Sequence, residues 1–383
     1  MKRCFLLCTC LAACLCACQK SPSAQTPSGR SAHVTFTLTK ASGPETRGTT
    51  ADSADESAVN SLDAFVFNAT GDLDAYGHYD AYDESAKPTL ECTTGPGKRC
   101  YIVVNAQWNE ATLKAQIATE SDLNALVFTL ESNGHAGPPV TLDHFEMLGN
   151  VEKDFVPGAN DVSVSVSRVV ARVKLGKITR DFSSEALNGE FKVKNLYMSN
   201  VVGSYGLDGT VRSGSGHSWY NVYADGSVAL NAALNPWLNK ALTAPVSIAE
   251  GSSATDGVAS TFYVMPNDVD FDAPVGGDAW SPRHTKLVVE TEYAGRTYYY
   301  AIPIVEMSPY PKLDEDDPGY ADQRASFKGL KPNCSYEIGE LVLTRLGSTN
   351  PDEPVMAAEV NFTISVADWD LVTLETENGK YVI

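Results

Sequence analysis

His33-Val34-Thr35-Phe36-Thr37-Leu38-Thr39 decides the fold class. Apolar and polar residues alternate without a break. Val34, Phe36 and Leu38 therefore share one face and His33, Thr35 and Thr37 the other, the period-two signature of a half-buried β-strand. Near the C-terminus the pattern returns: Val360, Phe362, Ile364 and Val366 alternate with Asn361, Thr363 and Ser365. Beyond Val366 the parity changes to Trp369 and Leu371, so Ala367-Asp368 is expected to form a bulge or corner. Strand-like runs between the two ends fall at 62–67, 100–105, 161–178, 191–202, 261–265, 286–293, 297–305 and 336–344. Helical signals are confined to 108–116, 121–130 and 228–242. Short strands separated by Gly, Pro and Asn turns predict a mainly β chain of antiparallel sandwiches with a few short helices.

A chain of 383 residues has room for two domains. The run 161–178 is too long for one ordinary strand, which sets the boundary near residue 170. The expected units are an N-terminal sandwich over 32–170 and a C-terminal one over 171–383, the latter including a terminal segment from 355 to 383.

Lys2 and Arg3 precede an apolar run from Phe5 to Ala17 in which small residues and cysteines gather toward the end. That is the organisation of a secretory signal over residues 1–17. The run is shorter than the ~20 apolar residues a membrane span needs. Leu15-Cys16-Ala17-Cys18 fits a lipobox, an aliphatic residue and two small ones before a cysteine, and makes Cys18 the expected lipidation site. Leu11-Ala12-Ala13-Cys14 fits the same pattern, so Cys14 is the alternative. Cleavage before Cys14 would leave a very short apolar core. Two or more acyl chains give stable membrane anchoring where a single one does not. A polar Ser/Pro/Gly linker then occupies 18–31.

The net charge is −19, and loss of Lys2 and Arg3 with the signal makes the mature chain more acidic still. This disfavours nucleic acid and anionic lipid as partners, since both select basic surfaces. Of nine cysteines, all but Cys92, Cys100 and Cys334 lie in the first eighteen residues. Cys92 and Cys100 flank Thr93-Thr94-Gly95-Pro96-Gly97-Lys98-Arg99, read as a turn between two strands. They are a candidate cross-hairpin disulfide or two facing free thiols. No residue set for catalysis, cofactor or metal binding stands out. The histidines show no HExxH or paired-ligand spacing. Asp314-Glu315-Asp316-Asp317 lacks the spaced acidic pattern and glycine of a calcium loop.

The two alternating ends suggest a relation. An extended segment with alternate apolar side chains is what a sheet groove accepts in β-strand addition. The Pro-rich stretch from Leu346 to Pro354 reads as a tether that lets the last strand leave the body. Arg47-Gly48, in the polar stretch after the first strand, offers a trypsin-like cut site.

Several stretches resemble the fimbrillin family, the type V pilins of Bacteroidetes and their accessory tip proteins. They are Asn60-Ser-Leu-Asp-Ala-Phe-Val-Phe-Asn-Ala-Thr-Gly-Asp-Leu73, Cys100-Tyr-Ile-Val-Val-Asn-Ala106, Met147-Leu-Gly-Asn150, Ser167-Arg-Val-Val-Ala-Arg-Val173, Pro332-Asn-Cys-Ser-Tyr-Glu-Ile338 and Arg345-Leu-Gly-Ser-Thr-Asn-Pro351. The match is weaker over 180–330. The resemblance implies two tandem transthyretin-like β-sandwich domains and export as a lipidated precursor held at the outer membrane. It further implies cutting by an arginine-specific protease, here after Arg47, with loss of a strand carrying Val34, Phe36 and Leu38. The vacated groove would take a donor strand carrying Val360, Phe362, Ile364, Val366, Trp369 and Leu371 from another subunit. The expected product is a non-enzymatic stalk or tip subunit of a cell-surface fimbria. Its partners would be other subunits and a host or bacterial receptor. The alternative is a monomeric surface lipoprotein binding glycan or a host ligand.

Overall fold

The computed structural model describes residues 31–39, 56, 58–82, 86–106, 108–130, 145–182, 184–210, 219–232, 237–269, 283–305, 315–326, 329–355, 360–362, 364–368, 375–377 and 380–382. Cys14, Cys18, Arg47, Gly48, Trp369 and Leu371 lie outside these residues, as does the signal.

The chain is mainly β, in two tandem sandwiches with short helices. In the first, β1 (Ser31–Thr39), β4 (Thr89–Thr93) and β8 (Gly158–Ser165) form one sheet with β1 in the middle. The facing sheet runs β3-β2-β5-β7-β9, with β2 at Leu62–Phe67, β3 at Leu73–Tyr79, β5 at Gly95–Val104, β7 at Met147–Phe155 and β9 at Ser167–Arg168. Every residue of β2 is buried because both of its faces are covered. Leu62, Ala64 and Val66 point into the sandwich with β1. Phe65 and Phe67 pack on the opposite side, in a cluster with Leu113 and Leu123 of α1 (Glu110–Gln116) and α2 (Glu120–Asn124). Both helices start on side-chain caps: Asn109 Oδ1 accepts from Thr112 N at 2.9 Å, and Thr119 and Asp122 form a capping box. The two sheets come close at Gly149, where a Cβ would lie 2.2 Å from the Ser165 carbonyl oxygen; this accounts for the glycine in Met147-Leu-Gly-Asn150.

The second sandwich begins with β10 (Ala171–Arg180), set between Ser260–Val264 and Cys334–Leu343. Its facing sheet has β11 (Phe191–Ser199) between Asn239–Ser247 and Lys286–Tyr293, with Arg296–Pro303 outermost. The sandwiches are joined by one continuous apolar cluster and by β6 (Val127–Thr129), which pairs with Ser204–Gly206.

Most strand pairs are antiparallel, as expected, but two are parallel, and they occupy equivalent places. β1 runs parallel to β8, and β10 runs parallel to Cys334–Leu343. Each domain therefore flanks its first strand with an antiparallel neighbour and a parallel late strand. Such pairing leaves no local sequence signal, because it joins residues more than 100 positions apart.

Four readings change. The run 161–178 reads as one long strand, yet it is three strands in different sheets, β8, β9 and β10, with the corner at Val169-Val170. Residues 228–242 form strand at Ser227–Val228 and Asn239–Ser247 rather than helix, because pairing with β11 overrides local propensity. β4 and β5 are consecutive but belong to opposite sheets, so Cys92 and Cys100 do not face each other across a hairpin ladder. No bulge lies within Ile364–Asp368, one strand paired from Ile338 to Cys334, while a corner before Trp369 would fall outside the described residues. The irregularity lies earlier, since Asn361 faces Val342 but Ile364 faces Ile338.

Candidate assembly site

β1 fills an apolar groove lined by strands of both sheets of the first sandwich. Its inward residues Ala32, Val34 and Phe36 are wholly buried, and Leu38 is 4% exposed. They meet Leu62, Ala64 and Val66 from β2, Leu90 and Cys92 from β4, Ile102 and Val104 from β5, and Val162 and Val164 from β8. Burying the three large side chains is worth roughly 1.5–3 kcal/mol each. Both backbone edges are engaged: Ser31 to Thr35 pair with β4, and Ala32 to Thr39 pair with β8. On the outer face His33 lies 3.7 Å from Glu91, Thr35 Oγ1 lies 3.4 Å from Thr89 Oγ1, and Lys87 Nζ donates to Thr37 Oγ1 at 3.1 Å.

The C-terminal segment sits elsewhere. Val360–Asn361 and Ile364–Asp368 pair with Cys334–Leu343 alone among the described strands, at an edge of the second sandwich. Val360 is buried; Phe362 and Ile364 are half-buried against the main core. Val366 pairs with Tyr336.

Two buried carboxylates, neither singled out from the sequence, fix the chain beside these strands. Glu56, in the polar stretch after β1, is 5% exposed. Its Oε2 lies 2.8 Å from Arg172 Nη1, its Oε1 accepts from the Tyr263 hydroxyl, and its carbonyl accepts from Arg168 Nε at 2.9 Å. Arg172 Nε also donates to Ser335 Oγ at 3.1 Å, and Asn333 Oδ1 accepts from Arg168 N at 3.2 Å. Two of the quoted motifs, Ser167–Val173 and Pro332–Ile338, thus meet around one carboxylate. Their arginines were visible in the sequence; the acid they bind, 116 positions from Arg172, was not.

Asp352 is 2% exposed and lies before the terminal segment. Its Oδ2 is 2.9 Å from Arg283 Nη1; Lys286 Nζ bonds to its Oδ1 and, at 2.8 Å, to its carbonyl oxygen. Burial pulls the Lys286 pKa below the usual lysine range, although Asp352 opposes this. Ser348 exchanges backbone bonds with Tyr299 at 2.7 and 3.0 Å, and Val355 N donates to Ala301 O at 3.0 Å. The Leu346–Pro354 stretch is therefore not a loose tether. It is fastened to the second sandwich, and any freedom of the terminal segment begins after Val355.

Cys92 and Cys100 are free thiols buried in the β1 core. Burial pushes Cys92 up to about 11 and Cys100 up to about 12, so both are poor nucleophiles near neutral pH. Among the described residues, no group of three or more His, Cys, Asp or Glu side chains is placed to hold a metal ion. The closest imidazole–carboxylate pair, His78 Nδ1 to Asp63 Oδ1 at 2.8 Å, joins β3 to β2 together with a 2.7 Å bond from the Tyr76 hydroxyl. It serves the sheet.

Fold and site together define a class: a two-domain β-sandwich protein with an apolar strand held at the centre of its first sheet and a similar strand at an edge of its second. Residues 32–204 match the family model of the major fimbrial subunit protein (FimA). The fimbrillin resemblance read from the motifs is thereby found again, beginning at β1. In fold the chain is similar to a fimbrilin of Porphyromonas gingivalis W83, at 15% identity and TM-score 0.56, over 89% of this chain and 98% of that one. It is also similar to a candidate cell-adhesion protein of Bacteroides eggerthii DSM 20697, at 18% identity and TM-score 0.59, over 89% and 97%. A second candidate cell-adhesion protein, from Parabacteroides distasonis ATCC 8503, aligns at 14% identity and TM-score 0.59 over 91% and 98%. No curated protein matches the chain.

Proposed function

We propose that this chain is a structural subunit, stalk or tip, of a cell-surface fimbria. It is exported as a lipoprotein precursor lipidated at Cys18 (or Cys14), cut after Arg47 by an arginine-specific protease, and polymerised by donor-strand exchange. The observation that carries this reading is the contrast between the two ends. β1 is interior, apolar on its inward face and covalently followed by the stretch containing Arg47, while the 360–368 strand has the same alternation but one described neighbour. Cutting between β1 and Glu56 would detach β1 and the lipid and leave the rest of the chain fastened through Arg168 and Arg172. Asp352 plays the matching part at the other end, holding the chain up to Val355 while the segment beyond it moves. The family-model match over β1 to β11 supports the same role.

The reading is tested by treating purified protein with an arginine-specific protease and looking for SDS-resistant ladders. Wild type should polymerise. Arg47→Ala and a chain ending at Pro354 should remain monomers. Trimmed wild type that stays monomeric while a known fimbrillin polymerises would defeat the proposal, and glycan binding by that monomer would favour a ligand-binding lipoprotein.

A further inference from the structure

The two ends share more than alternation. Residues 32–39 read Ala-His-Val-Thr-Phe-Thr-Leu-Thr and residues 358–365 read Ala-Glu-Val-Asn-Phe-Thr-Ile-Ser. Ala, Val, Phe and one Thr coincide; Leu faces Ile, and Thr faces Ser. At residue 366 the likeness ends, since Val366 corresponds to Lys40. Resting on the assembly reading above, we propose that the groove of one subunit takes residues 358–365 of a second copy in a single register. In that register Val360, Phe362 and Ile364 replace Val34, Phe36 and Leu38, in the same strand direction as β1.

The groove itself supplies the reasons. Its positions are graded in size, holding Ala32, Val34, Phe36 and Leu38 in turn, all almost fully buried. A slip of one residue would turn every apolar side chain outward. A slip of two would put a valine or isoleucine where Phe36 fits, leaving a cavity, and force the phenylalanine into a space shaped for Val34 or Leu38. The outer face agrees at Thr363, which stands where Thr37 accepts from Lys87. Direction follows from the same match: the donor runs antiparallel to β4 and parallel to β8, with Val360 opposite Leu90 and Asn160, and Phe362 opposite Val162, as Val34 and Phe36 are now. The donor proper is then 358–365. Val366, Trp369 and Leu371 fall beyond the stretch that mimics β1 and do not fill its groove.

The register is read by disulfide trapping. Thr35 and Thr89 are paired across β1 and β4 with their hydroxyls 3.4 Å apart on the exposed face. Asn361 takes the place of Thr35, so Asn361→Cys with Thr89→Cys should bond between subunits. Controls are Thr363→Cys with Thr89→Cys and Glu359→Cys with Thr89→Cys, which report slips of two residues either way. All pairs are built in a Cys92→Ser, Cys100→Ser, Cys334→Ser background, because removing β1 uncovers the first two thiols and the third is only partly buried. After protease trimming, mild oxidation and boiling in SDS without reductant, the Asn361/Thr89 pair should give covalent ladders at least tenfold stronger than either control. Untrimmed protein should give none. Ladders of equal or greater strength from a control overturn the register while leaving assembly intact. Wild type that forms no SDS-resistant polymer removes the assembly reading and this inference with it.

Discussion

β1 and the C-terminal segment carry nearly the same side chains in opposite situations. β1 is the middle strand of its sheet, bonded on both edges, with Val34 and Phe36 sealed from solvent. Val360–Asn361 and Ile364–Asp368 form an interrupted strand with one described neighbour, and Phe362 and Ile364 are only half-buried. Residue pattern sets which face is apolar; place in the sheet sets how much that face is worth. The difference gives exchange a direction. A segment that leaves an edge for the β1 groove buries more of Phe362 and Ile364 and gains a second backbone ladder. β1 has no equivalent move, so under the proposed exchange the groove would stay closed until the chain after β1 is cut.

The largest expected effect comes from removing what holds the stationary ends. Asp352→Ala leaves Arg283 and Lys286 buried without their acid and should cost about 3–5 kcal/mol in urea unfolding. A loss below about 1 kcal/mol would mean that the terminal segment is not fastened there. Next, the two matched phenylalanines should part company in the uncut chain. Phe36→Ala should cost about 3–5 kcal/mol as a buried aromatic, and Phe362→Ala only about 1 kcal/mol as a half-buried one. Equal losses would erase the contrast between the ends.

pH supplies a smaller effect. Glu146, whose carbonyl accepts from Val169 N at the corner before β10, is buried, and burial holds its pKa well above the usual carboxylate range. A raised folded pKa means that this group's contribution is fully present below its unfolded value and is lost as pH climbs toward the folded one. Wild type should therefore lose stability as pH rises above the ordinary glutamate range, and Glu146→Gln should lose measurably less over the same range. Identical pH slopes would show that Glu146 is not held neutral. Smallest is the outer face of the groove. There Glu359 would meet Glu91 where His33 does now, so Glu91→Lys should quicken polymerisation at low ionic strength, with the advantage vanishing as salt screens it. Rates that ignore salt would place Glu359 elsewhere.

Much of the fold was legible because period-two alternation is local. Lys286–Tyr293 and Leu62–Phe67 were read to the residue and the first helix within two positions, whereas the helix expected over 121–130 stops at Asn124 and gives way to β6. β3 was missed because Leu73–Tyr79 mixes Asp, Gly and His on a strand that is half-buried throughout. The helix at Tyr320–Ser326 was missed because Tyr-Ala-Asp-Gln-Arg-Ala-Ser carries no apolar stripe. Of the site, Trp369 and Leu371 lie outside the described residues, while the strands carrying Val34, Phe36 and Leu38 and Val360 and Ile364 were visible as alternating runs. Glu56 and Asp352 were not: each is an ordinary acid in a polar stretch, given its role by cations 66 to 116 positions away. The Pro-rich look of Leu346–Pro354 suggested freedom for the same reason, since nothing near it in sequence announces Arg283 or Lys286.

The most direct measurement is binding of a synthetic peptide of residues 356–368 to a chain ending at Pro354, before and after cutting at Arg47. The account predicts saturable binding to the cut chain, competed by a β1 peptide of residues 31–39, and none to the uncut chain. Equal binding to both forms, or no binding to the cut form, would contradict the claim that the terminal segment replaces β1.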